Sequence, residues 1–120
     1  MPSRADSVIV LNELLFETNR YNLREELYPL LDSIAEYLQK ESKANVTISG
    51  HTDNVGKEEY NLQLSSQRAE AVAEFLIDKN ISPDRLSFLG LGSAQPVQPN
   101  ETLEGRKKNR RVEILIRYTR

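Results

Sequence analysis

A chain of 120 residues, 38% hydrophobic and 28% charged, suits one domain with a real core and is too short for two ordinary ones. Sixteen Lys and Arg against eighteen Asp and Glu leave a net charge of −2, so no global field draws nucleic acid or anionic lipid, and a charged ligand must be met locally. The absence of cysteine excludes disulfides, thiolate metal sites, cysteine nucleophiles and a lipid-attachment cysteine within this chain.

The opening Met1-Pro2-Ser3-Arg4-Ala5-Asp6 does not resemble a signal peptide, and no apolar run approaches the roughly 20 residues of a membrane helix. The sequence therefore reads as a cytoplasmic protein or as a soluble piece of a longer one. A tail is expected over residues 1–7 and a single domain over 8–120.

Ser7 to Phe16 is rich in Val, Ile and Leu and predicts a first strand, followed by a loop over Glu17 to Asn22. Leu23, Leu27, Leu30, Leu31, Ile34 and Leu38 recur at helical spacing and predict a helix that ends near Lys40. Asn22 and Glu25 have the spacing of a capping box, but Pro29 pushes the regular helix to begin around Tyr28. Val46 and Ile48 alternate with Thr47 and Ser49 in a second strand that stops at Gly50-His51, and Asn54-Val55-Gly56 marks a loop. Ser65 is expected to cap a second helix whose buried stripe is Ala69, Val72, Ala73, Leu76 and Ile77, with Asn80 in the left-handed position past its end.

After a turn at Ser82-Pro83-Asp84, Leu86 to Leu91 reads as a third strand and Gly92 to Asn109 as a polar loop. In the last strand Val112, Ile114, Ile116 and Tyr118 face one way and Glu113 and Arg117 the other. Strands separated by single helices predict an α/β sandwich, a mixed sheet with helices packed on it.

Signals for catalysis are weak. His51 is the only histidine, no serine has a nucleophile-elbow context, and one histidine with scattered acids does not make a zinc site. No catalytic residue, metal or cofactor is therefore expected. Gly90-Leu91-Gly92 lacks the helix start that a phosphate loop needs, and reads as a tight strand exit. Arg106-Lys107-Lys108-Asn109-Arg110-Arg111 has the charge of a nucleic-acid patch, yet no aromatic residue interleaves it to stack bases. A solvated run leading into the last strand is the favoured reading.

Asp53, just past the second strand, and Arg68, read as the first turn of the second helix, form a better constellation. Arg68 can hold a carboxylate with two parallel hydrogen bonds and Asp53 can meet an ammonium, so together they suit a zwitterionic amino-acid end. The same spacing equally fits an Asp–Arg surface bridge contributing about 0–1 kcal/mol.

The stretches Gly50-His51-Thr52-Asp53-Asn54-Val55-Gly56, Tyr60-Asn61-Leu62 and Leu64-Ser65-Ser66-Gln67-Arg68-Ala69 resemble the C-terminal domain of the outer-membrane protein A family. Leu15-Phe16-Glu17-Thr18-Asn19, Arg85-Leu86-Ser87 through Gly92, and Glu104 through Ile114 resemble the same family. The likeness runs in order from about Val8 to Tyr118, with Glu17 standing where many members have Asp. The Pro96-to-Asn100 and Glu104-to-Arg111 stretches also look like the flagellar stator protein MotB.

That resemblance implies a βαβαββ fold and non-covalent binding of peptidoglycan through the diaminopimelate of its stem peptide. Arg68 would take the carboxylate and Asp53 the ammonium of the diaminopimelate end, with Thr18, Asn19 and Asn61 adding hydrogen bonds. Asn109 and Arg110 match the family's Asn-Arg pair and would line the site, with bracing of the fold as the other reading of Arg110. It further implies a periplasmic domain of a membrane-anchored envelope protein, with a homodimer as one form open to the parent and peptidoglycan rather than nucleic acid as its partner. A peptidoglycan-acting enzyme and a basic nucleic-acid module are the alternatives.

Overall fold

The computed structural model describes residues 6–13, 16 and 20–118. Its strands are β1 (Ser7–Asn12), β2 (Ala44–His51), β3 (Leu86–Gly90) and β4 (Arg111–Tyr118). Its helices are α1 (Tyr28–Lys40), α2 (Glu58–Asp78) and α3 (Leu103–Asn109). The sheet order is β1-β4-β2-β3, with β2 and β3 parallel and β4 antiparallel to both β1 and β2. This is the mixed sheet the sequence predicts, with β4 inserted centrally because its alternating Val112, Ile114 and Ile116 are buried between two neighbours.

One face of the sheet carries the core. Leu11, Ala44, Val46, Ile48, Val112, Ile114 and Ile116 meet Leu31, Ile34, Ala35 and Leu38 of α1 and Ala69, Val72, Ala73 and Leu76 of α2. Both helices lie on this face, so the domain has two layers. The α1 stripe follows the i, i+3, i+4, i+7 spacing. Pro29 sits in its first turn, where the missing N–H breaks no hydrogen bond.

Several local expectations are corrected. The first strand ends at Asn12 rather than Phe16, although Phe16 still bridges Leu23. The Asn22–Glu25 capping box does not form at α1, because a 3-10 turn over Glu25–Leu27 intervenes and Leu27 is the N-cap, without a side-chain cap. Ser65 does not cap α2, which begins two turns earlier at Glu58. The polar loop contains α3, whose first turn is capped by the Thr102 hydroxyl accepting from the Gly105 N–H at 2.9 Å. Asn80 does take the left-handed conformation, at φ 71°.

Helix α2 comes close to the sheet at two glycines near the strand ends. A Cβ on Gly50 would lie 2.0 Å from the Ser65 carbonyl oxygen, and one on Gly90 would lie 2.3 Å from the Ser66 nitrogen. These two glycines are paired in register on β2 and β3, so the helix backbone rests directly on the sheet there. Ser65 itself is buried, donates to the Leu62 carbonyl and accepts from the Gly92 N–H at 3.1 Å.

Candidate functional site

The buried face of α2 changes character along its length. Its C-terminal half buries Ala69, Val72, Ala73 and Leu76, whereas its N-terminal half buries the polar Asn61, Ser65 and Arg68 beside Leu64. The polar half faces the end of the sheet where the chain leaves β2 and β3. Arg68 thus lies in the helix interior, three turns from the start, and not in the first turn as the sequence predicts.

Asp53 follows β2 in a loop held from several sides. The Thr52 N–H donates to the Gly92 carbonyl at 2.8 Å, and the Val55 N–H donates to Asp53 Oδ1 at 2.9 Å. Asn61 Nδ2 donates to the Val55 carbonyl at 3.1 Å and, more distantly, to that of Asp53 at 3.5 Å. Asn61 is buried and its amide nitrogen ties helix to loop. Gly56 completes the turn at φ 84°.

Arg68 is equally fixed. It is 4% exposed, donates from Nε to the Arg20 carbonyl at 2.8 Å, and stacks its guanidinium 5.1 Å from the centre of the Phe16 ring. Burial draws its pKa below the ordinary arginine value, opposed by Glu13, and the group stays cationic.

Asp53 and Arg68 are joined through two further charged residues. Asp53 Oδ2 accepts from Arg110 Nη1 at 2.6 Å, Arg110 Nε donates to Glu13 Oε1 at 2.7 Å, and Glu13 Oε2 stands 3.5 Å from Arg68 Nη1. The four side chains form a ladder of alternating sign, Asp53–Arg110–Glu13–Arg68. Burial alone would lower the Arg110 pKa, but Asp53 and Glu13 outweigh it and raise the value. The simple Asp–Arg surface bridge is therefore not what forms: both groups are buried, and each is bonded to a different partner.

Sequence reasoning missed Glu13. It lies 97 residues from Arg110 and 55 from Arg68, so only the antiparallel pairing of β1 with β4 brings it to the site. An acid at the end of an apolar strand was the one available signal.

Asn109 stands apart from this cleft. It is completely buried, its Oδ1 accepts from the N–H groups of Val97 and Gln98, and its Nδ2 donates to the Gln98 carbonyl and to Asn100 Oδ1. All four hydrogen-bonding positions of the amide are spent on the 97–100 loop, which leaves none for a ligand. Thr18 and Asn19 lie outside the described residues.

The basic run is largely absorbed by the fold. Arg106 donates to the Asn100 carbonyl, Arg110 belongs to the ladder, and Arg111 bonds Glu113 and the Asn109 and Gln95 carbonyls. Only Lys107 and Lys108 of its five cations are exposed. His51 is 3% exposed, and neither ring nitrogen has a hydrogen-bond partner among the described residues. Burial, then Arg111, lowers its pKa, with Glu113 opposing. Among the described residues no group of three or more acids and histidines could hold a metal ion, and no helix is long and apolar enough to cross a membrane.

Comparison with known proteins gives a consistent picture. The chain is 46% identical over 89 residues to the peptidoglycan-binding protein ArfA of Mycobacterium tuberculosis, covering 74% of this chain and 27% of that protein. It is 36% identical over 116 residues to outer membrane protein A of Bordetella avium, covering 96% of this chain and 60% of that protein. It thus spans about a quarter to three-fifths of these two relatives. Among solved structures, the cell wall anchor of the T6SS from Pseudomonas aeruginosa superposes with a TM-score of 0.83 at 35% identity, covering 95% of this chain and 82% of that one. The periplasmic domain of Helicobacter pylori MotB superposes with a TM-score of 0.81 at 30% identity, covering 96% and 78%. The OmpA family model matches residues 15–110, which includes Asp53, Arg68 and Arg110. The chain belongs to the OmpA family.

Proposed function

We propose that this chain binds peptidoglycan non-covalently, with residues 8–120 as one module that ties a larger envelope protein to the cell wall. In this reading the ligand is the zwitterionic end of diaminopimelate in the stem peptide. Arg68 takes its carboxylate and Asp53 its ammonium, while Thr18, Asn19 and Asn61 are assigned further hydrogen bonds to it. The observation that carries the reading is the inner pair itself. An acid and a forked cation are both buried at one end of the sheet, each anchored to backbone and linked to the other through the more exposed Arg110 and Glu13.

Family membership supports this, as does the naming of relatives as peptidoglycan-binding and cell-wall-anchoring proteins. Those relatives also favour an envelope location and a binding rather than catalytic role. Hydrogen bonds to charged groups contribute roughly 1.5–3 kcal/mol each, so two or three, less the cost of association, give millimolar to micromolar affinity. That is adequate for a protein facing a polymer that repeats its epitope.

The test is co-sedimentation with purified sacculi. Arg68→Ala would strip a buried group from Phe16 and the Arg20 carbonyl, so milder variants separate binding from folding. Asp53→Asn keeps shape and loses the charge, and Arg68→Lys keeps charge and loses the fork. Each is expected to weaken retention about tenfold or more while the circular dichroism spectrum stays native. Retention of both variants at the wild-type level would refute the site.

A further inference from the structure

The ladder divides into two halves that differ in how they are held. Arg68 and the Asp53 side chain are 4% and 9% exposed, and each is bonded to backbone, Arg68 to the Arg20 carbonyl and Asp53 to the Val55 N–H. The Glu13 and Arg110 side chains are 33% and 23% exposed, and among the described residues they bond only within the ladder. The inner half is fixed and the outer half rests on it.

The outer half also has the charges of the proposed ligand, in the same order. Glu13 offers Arg68 a carboxylate at 3.5 Å, Arg110 offers Asp53 a cation at 2.6 Å, and the two are bonded to each other at 2.7 Å. A diaminopimelate end presents a carboxylate and an ammonium joined through one carbon. We infer that Glu13 and Arg110 act as a built-in stand-in for the zwitterion, which the ligand must displace from Arg68 and Asp53. This inference rests on the peptidoglycan-binding reading and adds to it how the site is kept closed and what it selects.

Charge accounting favours the exchange. Before binding, two acids and two arginines are mutually satisfied. After it, the ligand carboxylate pairs with Arg68, its ammonium with Asp53, and Glu13 and Arg110 remain paired as they move aside. No charge is left buried and alone, which would cost far more than an exposed pair contributes. The retreating pair has room, because it borders an open groove of about 640 Å³ that Lys107 and Lys108 also line.

The mechanism makes the site selective. A ligand with only an ammonium can displace Arg110 from Asp53 but supplies nothing to Arg68, so Glu13 stays and holds Arg110 close by. A ligand with both charges satisfies both fixed groups at once. Amidation of the carboxylates should therefore cost more affinity than the loss of one hydrogen bond.

The test compares wild type with the double variant Glu13→Gln, Arg110→Gln, which removes the stand-in and leaves the net charge of the cluster unchanged. Calorimetric titration with free diaminopimelate should show the variant binding roughly two- to thirty-fold more tightly, the combined strength of two partly exposed ion pairs. Diaminopimelate diamide should gain far less. A wild type that binds diaminopimelate and sacculi, beside a folded variant that binds no more tightly, overturns this inference alone. A wild type that binds neither removes the functional reading as well. Should the variant fail to fold, the side-chain Nε–H signal of Arg110 in wild type decides: it must shift on saturation with diaminopimelate, and a static signal overturns the proposal.

Discussion

At the scale of single residues, the site shows why spacing along the chain and chemistry in space are different kinds of information. Asp53 and Arg68 could be paired as candidates from sequence because they belong to one strand–loop–helix unit, β2, its loop and α2. Glu13 could not, since its partners lie on α2 and at the junction of α3 with β4, far along the chain, and nothing near it in sequence names them. Asn109 misled in the opposite sense: its motif position is real, but its amide is consumed by four internal hydrogen bonds. His51 gives a test at this scale. Its folded-state pKa lies below the ordinary value of about 6.5, so the unfolded chain binds the proton more readily. The stabilising contribution of the neutral ring is present above that unfolded value and is lost as pH falls through the folded one. The urea midpoint should therefore drop on going from pH 8 to mildly acidic pH, and His51→Phe, which has no proton to gain, should flatten that part of the curve. An unchanged slope in the variant would assign the pH dependence to other groups.

At the scale of elements, what decided legibility was whether a buried face is apolar. The stripes of α1 and of the C-terminal half of α2 follow from periodicity, as does β4. The start of α2 escaped because its first buried residues are Asn61, Leu64 and Ser65, so a polar stripe resembled a loop and Ser65 resembled a cap. Helix α3 escaped because it buries only Gly105 and Asn109, which leaves no hydrophobic signal at all. The glycines of β2 and β3 had a meaning that sequence could not supply, namely direct backbone contact with α2. Gly50→Ala would put its Cβ 2.0 Å from the Ser65 carbonyl oxygen, where only a shift of the helix relieves the clash. Overpacking of this kind costs about 1–3 kcal/mol, and more where backbone must move. Because Arg68 lies one turn beyond Ser65 on the same helix, thermal melting and sacculus retention should fall together. A variant that melts lower yet binds as wild type would mean that α2 can lift from the sheet without disturbing its polar half.

At the scale of the whole molecule, the mixed sheet serves to bring three distant segments to one end: the end of β1 with Glu13, the loop after β2 with Asp53, and the approach to β4 with Arg110. Arg68 on α2 closes the set. The net charge of −2 is then beside the point, since the four clustered charges neutralise one another, and in the proposed exchange they would do so again with the ligand bound. This has a consequence for salt. A protein that held a polyanion through the basic run would release counterions, and its affinity would fall by roughly a thousandfold or more between 50 and 200 mM salt if six or more phosphates were contacted. Here three of the five cations in that run are engaged inside the fold, and the proposed ligand brings no net charge to the inner pair. Buried pairs are also screened much less than exposed ones. Retention on sacculi should accordingly change by no more than about fivefold across that salt range, and retention on duplex DNA should be negligible at 200 mM. A steep salt dependence on sacculi would mean that exposed cations such as Lys107 and Lys108 carry the binding, and that the buried zwitterion reader is not the contact on which the anchor depends.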